Sequence, residues 1–479
     1  MKATTRVEHD SLGSKDLPAE ALYGVHTARS LENFPPSGES VHLYLIKAFL
    51  WIKRAAAIAN EKAKTLDSEK ATMIVESADD LLALVERAAT RESEEIRDYV
   101  VVDPYQGGAG TSLNMNVNEI VANRALRKRG EPLGRYDLLH PLDDVNRGQS
   151  TNDVFPTALK IAAILLLREL QEAFAELQGA LQKKETEFGG VAKLGRTQLM
   201  DAAPITLGQE FGAWAQAFAR DRWRLYNIEE RLRSINIGGG AVGNAIAVDP
   251  TYAFAVAEEL RRATGLPLAR AEDLVDATAN LDVVVETAGI VKAGAVSLSK
   301  LSDDVRLLAS GPAGGFGELI LEARQVGSSI MPGKVNPVIF EHARQIASVV
   351  IANDAAIANL VAGSNLELPQ FLPAVAHLYL KSLTLLRDAV HNTARLGVPN
   401  IRADRARCAR NLAESSAVAV AFVPEFGYER VAAVVKRASE EGVSFLRLLK
   451  QELNLDDRRV VETLSRELGT DLEDAELRT

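Results

Sequence analysis

NLDVVVETAGIVKAGAVSLSKLSDDVRLLAS, residues Asn280 to Ser310, carries apolar or small side chains at Leu281, Val284, Ala288, Val291, Ala295, Leu298, Leu301, Val305 and Leu308. Steps of three and four place them on one stripe of an α-helix. About thirty residues at the helical rise span roughly 45 Å, longer than a small domain needs, and the alanines let a neighbouring helix come close. Comparable runs fall at Thr157 to Phe188, Thr206 to Ser234, Val338 to Ala362 and Pro373 to Leu396. Five such runs predict a mainly α fold with a long central helical bundle. Helices of this length find partners in other subunits, so a homo-oligomer is expected.

The flanks read differently. Up to residue 146, shorter helical runs alternate with breakers such as Pro35-Pro36-Ser37-Gly38 and Gly107-Gly108-Ala109-Gly110. From residue 399 the runs are shorter and more charged, ending in an acidic tail from Asp471 to Glu476. Three domains are therefore expected: residues 1–146, 147–398 and 399–479. A chain of 479 residues with 47% hydrophobic side chains has ample material for such cores.

Composition narrows the function. With 65 acidic against 55 basic residues the net charge is -10, which argues against a nucleic-acid binder. The single cysteine, Cys408, leaves no intrachain disulfide and no Cys-rich metal site. The seven histidines show no paired ligand spacing, so no metal is expected. The residues from Met1 to Asp10 have no apolar signal core, and the apolar stretch from 347 to 363 is interrupted by Asn353 and Asp354. A cytoplasmic protein without a membrane segment is expected.

Gly327-Ser328-Ser329-Ile330-Met331-Pro332-Gly333-Lys334-Val335-Asn336-Pro337 combines loop punctuation with hydroxyls, a cation and an amide. Its glycines and prolines stop a helix and fix a turn, and a new helix can start after Pro337. A base, a cation and a donor on one loop suit a reaction that builds negative charge on a carboxylate. Further small-donor segments are Gly110-Thr111-Ser112-Leu113-Asn114-Met115-Asn116, Gln149-Ser150-Thr151-Asn152-Asp153 and Gly195-Arg196-Thr197-Gln198. Two nucleotide-site patterns fail. Gly238-Gly239-Gly240-Ala241-Val242-Gly243 follows a charged helical run instead of a strand, and Val335 follows Lys334 where a phosphate loop needs Ser or Thr.

These segments, with Tyr23-Gly24-Val25-His26-Thr27-Ala28-Arg29 and Tyr105-Gln106-Gly107-Gly108-Ala109-Gly110-Thr111-Ser112, resemble the aspartase/fumarase superfamily as far as about residue 345. They are closer to its aspartases than to class II fumarases. The resemblance implies a homotetramer with a twenty-helix central bundle, active sites shared between three subunits, a small amino-acid or dicarboxylate substrate and no cofactor. It implies anti elimination of ammonia from L-aspartate to give fumarate through a stabilised carbanion. Carried over by motif, Ser328 is the base, while Lys334 and Asn336 hold the carboxylate beside the carbon that loses its proton. Thr111, Ser150, Thr151 and Ser329 hold the other end, and Asn152, Thr197 and Gln198 surround the leaving amine. Glu341, His26 and Arg29 support them from behind.

Gln198 bears on the leaving group. Hydroxide needs a proton donor to depart, whereas an ammonium already carries its proton, so an amide suffices for an amine. Several departures from the family pattern bear on the substrate: Leu142 in His140-Pro141-Leu142-Asp143, Gly240, Glu367-Leu368-Pro369-Gln370 and Val423-Pro424-Glu425-Phe426-Gly427-Tyr428. They keep open a lyase acting on another amino acid, an N-substituted aspartate or a betaine such as ergothioneine. A class II fumarase and a non-catalytic scaffold are the further alternatives.

Overall fold

The protein, seen here as a computed structural model, is described over residues 5–472; residues 473–476 of the acidic tail lie outside that range. Strands β1 (Thr5–Asp10) and β2 (Gly13–Pro18) pair antiparallel ahead of α1 (Val25–Asn33), α2 (Leu43–Lys62), α3 (Ser68–Ala89), α4 (Glu95–Tyr99) and α5 (Thr111–Lys128). The long α6 (Thr151–Glu187) leads to a hairpin of β3 (Ala192–Thr197) and β4 (Met200–Thr206), then to α7 (Leu207–Leu232). After α8 (Pro250–Thr264) and α9 (Leu274–Ala279) come α10 (Asp282–Leu308), α11 (Val338–Ala362) and α12 (Leu372–Asn392). The chain closes with α13 (Arg405–Glu414), α14 (Val423–Phe426), α15 (Tyr428–Glu441), α16 (Phe445–Leu453) and α17 (Asp457–Leu468).

The five long runs are all helices, and the Asn280 stripe is the buried face of α10: Leu281, Val284, Ala288, Val291, Ala295, Leu298, Leu301, Val305 and Leu308 are all in the core. The helix α6 starts at Thr151, ahead of the expected Thr157, and runs through Pro156. Proline has no N–H for the carbonyl of Asn152 one turn back. The side chain of Asn236 supplies that donor instead, at 3.0 Å, so the early start leaves no orphan.

Two compact units emerge, each built from separated pieces. One comprises Met1–Glu169, Arg224–Lys292 and Val349–Leu385; the other comprises Leu170–Trp223, Ala293–Ser348 and Leu386–Thr479. In the first, Arg168 of α6 grips Glu229 of α7 with two bonds of 2.9 Å, Lys292 of α10 reaches Asp354 of α11 at 2.6 Å, and Asn353 bonds Ser382 of α12 at 3.0 Å. In the second, Trp214 of α7 donates to Asp304 of α10, and a Cβ on Gly294 of α10 would come within 2.7 Å of the Phe174 ring of α6. Long helices thus lie side by side within each unit. A separate apolar cluster in the second unit gathers Leu412, Phe422, Val434, Phe445, Leu449 and Leu464 around Leu194 at the base of the β3–β4 hairpin.

One expectation needs correction. Asn353 and Asp354 do not interrupt α11, because both find partners on neighbouring helices, and Val338–Ala362 is long and apolar enough to cross a membrane. Only 17% of its apolar window is buried within the chain.

Candidate active site

In the first unit, the entry to α1 is tied to one carboxylate. Buried Glu119 accepts from the N–H of Gly24 at 2.8 Å, His26 at 2.9 Å and Thr27 at 3.3 Å, and from the Thr27 hydroxyl at 2.6 Å. Burial pushes its carboxyl up to about 7 against those donors. A Cβ on Gly24 would strike both Glu119 and the Tyr136 hydroxyl, so glycine is required there. From α1, Arg29 grips Asp10 with two bonds of 2.7 Å and also donates to the Gly13 carbonyl. Its charge is committed to the β1–β2 turn. Burial lowers the pKa of His26, favouring the neutral ring.

Thr111 opens α5 after three left-handed residues, Gly108, Ala109 and Gly110. A Cβ on Gly110 would lie 2.1 Å from the Phe155 ring. The Thr111 hydroxyl donates to the Gly108 carbonyl at 2.8 Å, so it presents its lone pairs outward. His26, Arg29, Thr111 and Ser112 line one hollow of about 290 Å³.

Ser150, Thr151 and Asn152 sit at the start of α6, held by Asp153 beneath them. This buried carboxylate accepts from the N–H groups of Ser150 at 3.0 Å, Gly238 at 3.2 Å and Gly240 at 2.9 Å. Burial raises it to about 7. The glycine-rich segment is thus a clasp for Asp153, and the next helix, α8, begins only at Pro250. Gly240 has φ 69°, where a Thr would be strained. Asn152 donates to the Ala241 carbonyl at 2.7 Å.

Below them lies a residue that the sequence reading missed. Lys53 of α2 is fully buried, and its ammonium donates to Asn114 at 2.7 Å, Gln149 at 2.9 Å and Asn146 at 3.0 Å. Burial lowers its pKa to about 7. A neutral amine has only two N–H bonds, so three oxygen acceptors call for the ammonium form. In one sequence, a lysine inside an apolar helix gives no sign that its partners lie 61 to 96 positions downstream.

The second unit carries the other residues. Thr197 pairs with Met200, leaving Gln198-Leu199 as a two-residue turn with φ 55° and 65°. Turns of this kind favour Asn-Gly, so two ordinary side chains there store backbone strain. Thr197 and Gln198 are exposed at the tip. The hairpin's stem is clamped by ions: Glu318 receives two bonds from Arg196, one from Asn411 at 2.9 Å and an ion pair from Lys193 at 3.1 Å, and Lys193 also holds Glu210 at 2.7 Å. Burial works to raise the Glu318 carboxyl, but its cationic partners bring it below the usual range.

The Gly327 loop closes on itself. Gly327 donates to the Lys334 carbonyl at 3.1 Å, and a Cβ there would lie 2.2 Å from that oxygen. Asn336 donates to the Gly327 carbonyl at 2.7 Å, so one of its two amide hydrogens pins the loop. The Ser328 oxygen accepts from the N–H groups of Met331 at 3.1 Å and Ile330 at 3.2 Å. Ser329 and Lys334 are exposed, and Glu341 lies in the first turn of α11, which starts at Val338. Among the described residues no group of three metal-ligating side chains forms a cation site.

The candidates therefore fall into two sets: His26, Arg29, Thr111, Ser150, Thr151 and Asn152 in one unit, Thr197, Gln198, Ser328, Ser329, Lys334, Asn336 and Glu341 in the other. Of the departures, Leu142 is half-exposed in a π-helical turn, and Pro369 offers its carbonyl to the N–H of Leu372 at the start of α12.

A lyase family model matches residues 13–352. An aspartate ammonia-lyase of a Bacillus species is 41% identical over 448 residues, 94% of each chain, and that of Pseudomonas aeruginosa is 40% identical over 465 residues, 96% of each. Among solved structures, a fumarate lyase:delta crystallin from Brucella melitensis bound to cobalt has a TM-score of 0.91 at 41% identity, covering 97% of this chain and 100% of that one. A class II fumarase from Schistosoma mansoni has a TM-score of 0.89 at 28% identity, covering 96% and 99%. With the serine loop, the donor segments and the long helices all in place, the chain belongs to the aspartase/fumarase superfamily and is an aspartase-like lyase.

Proposed function

We propose that the protein is an aspartate ammonia-lyase, releasing ammonia from L-aspartate by anti elimination to give fumarate. The observation that carries this reading is the Ser328 oxygen, set against the N–H groups of Ile330 and Met331 on the loop that bears Lys334. Two backbone donors stabilise an alkoxide at that oxygen, which makes a poor base competent. Ser328 takes the proton from the carbon beside one carboxylate, and the C–H electron pair moves into that carboxylate. Lys334 and the second amide hydrogen of Asn336 balance the added charge. The pair then forms the C=C bond as the C–N bond breaks, and the amine leaves neutral past Asn152, Thr197 and Gln198. Ser150, Thr151 and Ser329 hold the far carboxylate, joined by Thr111 once its O–H turns from the Gly108 carbonyl to the substrate. The substrate follows from the names of the bacterial relatives.

We read the working enzyme as a cytoplasmic homotetramer, with each site drawing its two residue sets from three copies. The exposed apolar side chains Leu199, Met200 and Ile330 beside site residues support this, as does the apolar surface of α11. That helix then meets other copies of the chain, with no membrane involved. Fumarate absorbs in the ultraviolet, so the purified protein tests the reading directly with aspartate, malate, N-substituted aspartates and histidine betaines in parallel. Rapid absorbance growth with aspartate is expected. Silence there with turnover of another amine would move the assignment to that substrate.

A further inference from the structure

Lys53 does more than fill the core. A protonated lysine donates and never accepts, so each amide around it must turn its oxygen inward. For Asn114 this fixes the other end of the amide: its NH2 group points away from Lys53 and donates to the Thr151 hydroxyl oxygen at 3.1 Å. Asn146 is fixed in the same way. Its oxygen also accepts from Asn114 at 3.1 Å and Asn118 at 3.2 Å, and its NH2 group donates to the Gln149 carbonyl just before Ser150. Among the described residues no carboxylate lies within ion-pair distance of Lys53, and the buried Asp153 acts on it only from farther away.

Polarity is thereby passed along a relay. The Thr151 oxygen already receives one hydrogen bond from Asn114, which ties up one of its two lone pairs and leaves its O–H free to donate to an anionic acceptor. Thr111 has the opposite arrangement, with its proton committed to Gly108 and lone pairs outward. We propose that Lys53 is a positioning residue which, through Asn114, sets Thr151 as a hydrogen-bond donor to the substrate's far carboxylate. This rests on the reading of Thr151 as a substrate contact. Replacing the ammonium frees the Asn114 amide to turn over, and Thr151 then loses its enforced direction.

The test is a double-mutant cycle on the intact enzyme: parent, Lys53→Met, Thr151→Val and the double variant. Fumarate and succinate binding is followed by calorimetry and aspartate turnover by absorbance. Each single variant is expected to weaken dicarboxylate binding about tenfold, and Lys53→Met to raise KM while changing kcat less than about threefold. The double variant should bind within about twofold of Thr151→Val, because Lys53 acts through a hydroxyl already removed. Penalties that multiply in the double variant overturn the inference. If circular dichroism shows Lys53→Met unfolded, Asn114→Ala cuts the same relay and completes the cycle. A parent that binds fumarate but ignores aspartate rejects the aspartate reading alone, and the binding cycle still decides this one. A parent that binds no dicarboxylate overturns it.

Discussion

Arg196 meets Glu318 with two hydrogen bonds, of 2.8 and 3.1 Å, and its guanidinium also lies 4.1 Å from the Phe316 ring. The pair joins β3 to the segment ahead of α11, one residue from the Thr197-Gln198 tip. Lys193 shares the same carboxylate, so Glu318→Ala strands Arg196 in a largely buried place and leaves Lys193 with Glu210 alone. Breaking such a pair from one side costs about 3–5 kcal/mol. Chemical denaturation is expected to show a loss of that size, and a loss below about 1 kcal/mol would contradict the clamp.

Ser328→Ala keeps the loop's glycine pins and the Asn336 bond to Gly327 but removes the oxygen that Ile330 and Met331 face. The two N–H groups are in an exposed loop, where water replaces the lost acceptor, so the thermal midpoint should hardly move. Removing a general base lowers kcat by about 10²–10⁴-fold. Near-normal turnover of aspartate by this variant would disprove the role given to Ser328.

The long helices were legible because their buried stripes are local: Leu281 to Leu308 repeat at helical spacing whatever lies opposite. The start of α6 was not, because Pro156 reads as a boundary until Asn236, far along the chain, is known to cover the Asn152 carbonyl. The candidate residues stood out as donors beside glycines, but their supports did not. Lys53, Asp153, Lys193 and Glu318 are single charges in mixed sequence, indistinguishable from surface residues until folding gives them partners. The β3–β4 hairpin was hidden for another reason: Gln198-Leu199 lacks the glycine that announces such a turn.

That hidden turn yields a trade-off. Leu199 at φ 65° and Gln198 at φ 55° each hold a conformation that glycine adopts without strain. Gln198→Gly is therefore expected to stabilise the hairpin slightly, by about 0.5–1 kcal/mol, while lowering kcat/KM for aspartate by removing the amide beside the amine. Paired thermal melts and kinetics decide it, and a variant that keeps full activity would remove Gln198 from the amine site.

Acid should loosen the β1–β2 turn in a defined window. Hydrogen bonds from Arg29 hold Asp10 at about 2, against an ordinary value of 3.8. Between those values the unfolded chain takes up a proton that the folded one refuses, so the stabilisation is complete above pH 3.8 and lost as pH falls through about 2. Parent and Asp10→Asn should differ by a constant thermal shift above that window and converge below it. A difference that persists unchanged in strong acid would mean that the ion pair is not its source.

The apolar surface of α11 gives the last test. Val349 is 41% exposed on a helix whose apolar window is 17% buried, and exposed valines on such a face lose hydration only when another chain covers them. A Glu there leaves the isolated subunit intact, since the side chain can stay in water, but places a charge inside any interface formed by that face. Val349→Glu is expected to keep its helical circular dichroism, sediment as a smaller species than the parent, and lose activity steeply on dilution. If sites draw residues from three copies, activity must fall with assembly, and mixing with an excess of Ser328→Ala subunits should change it. A fully active monomer would refute both the assembly and the shared site.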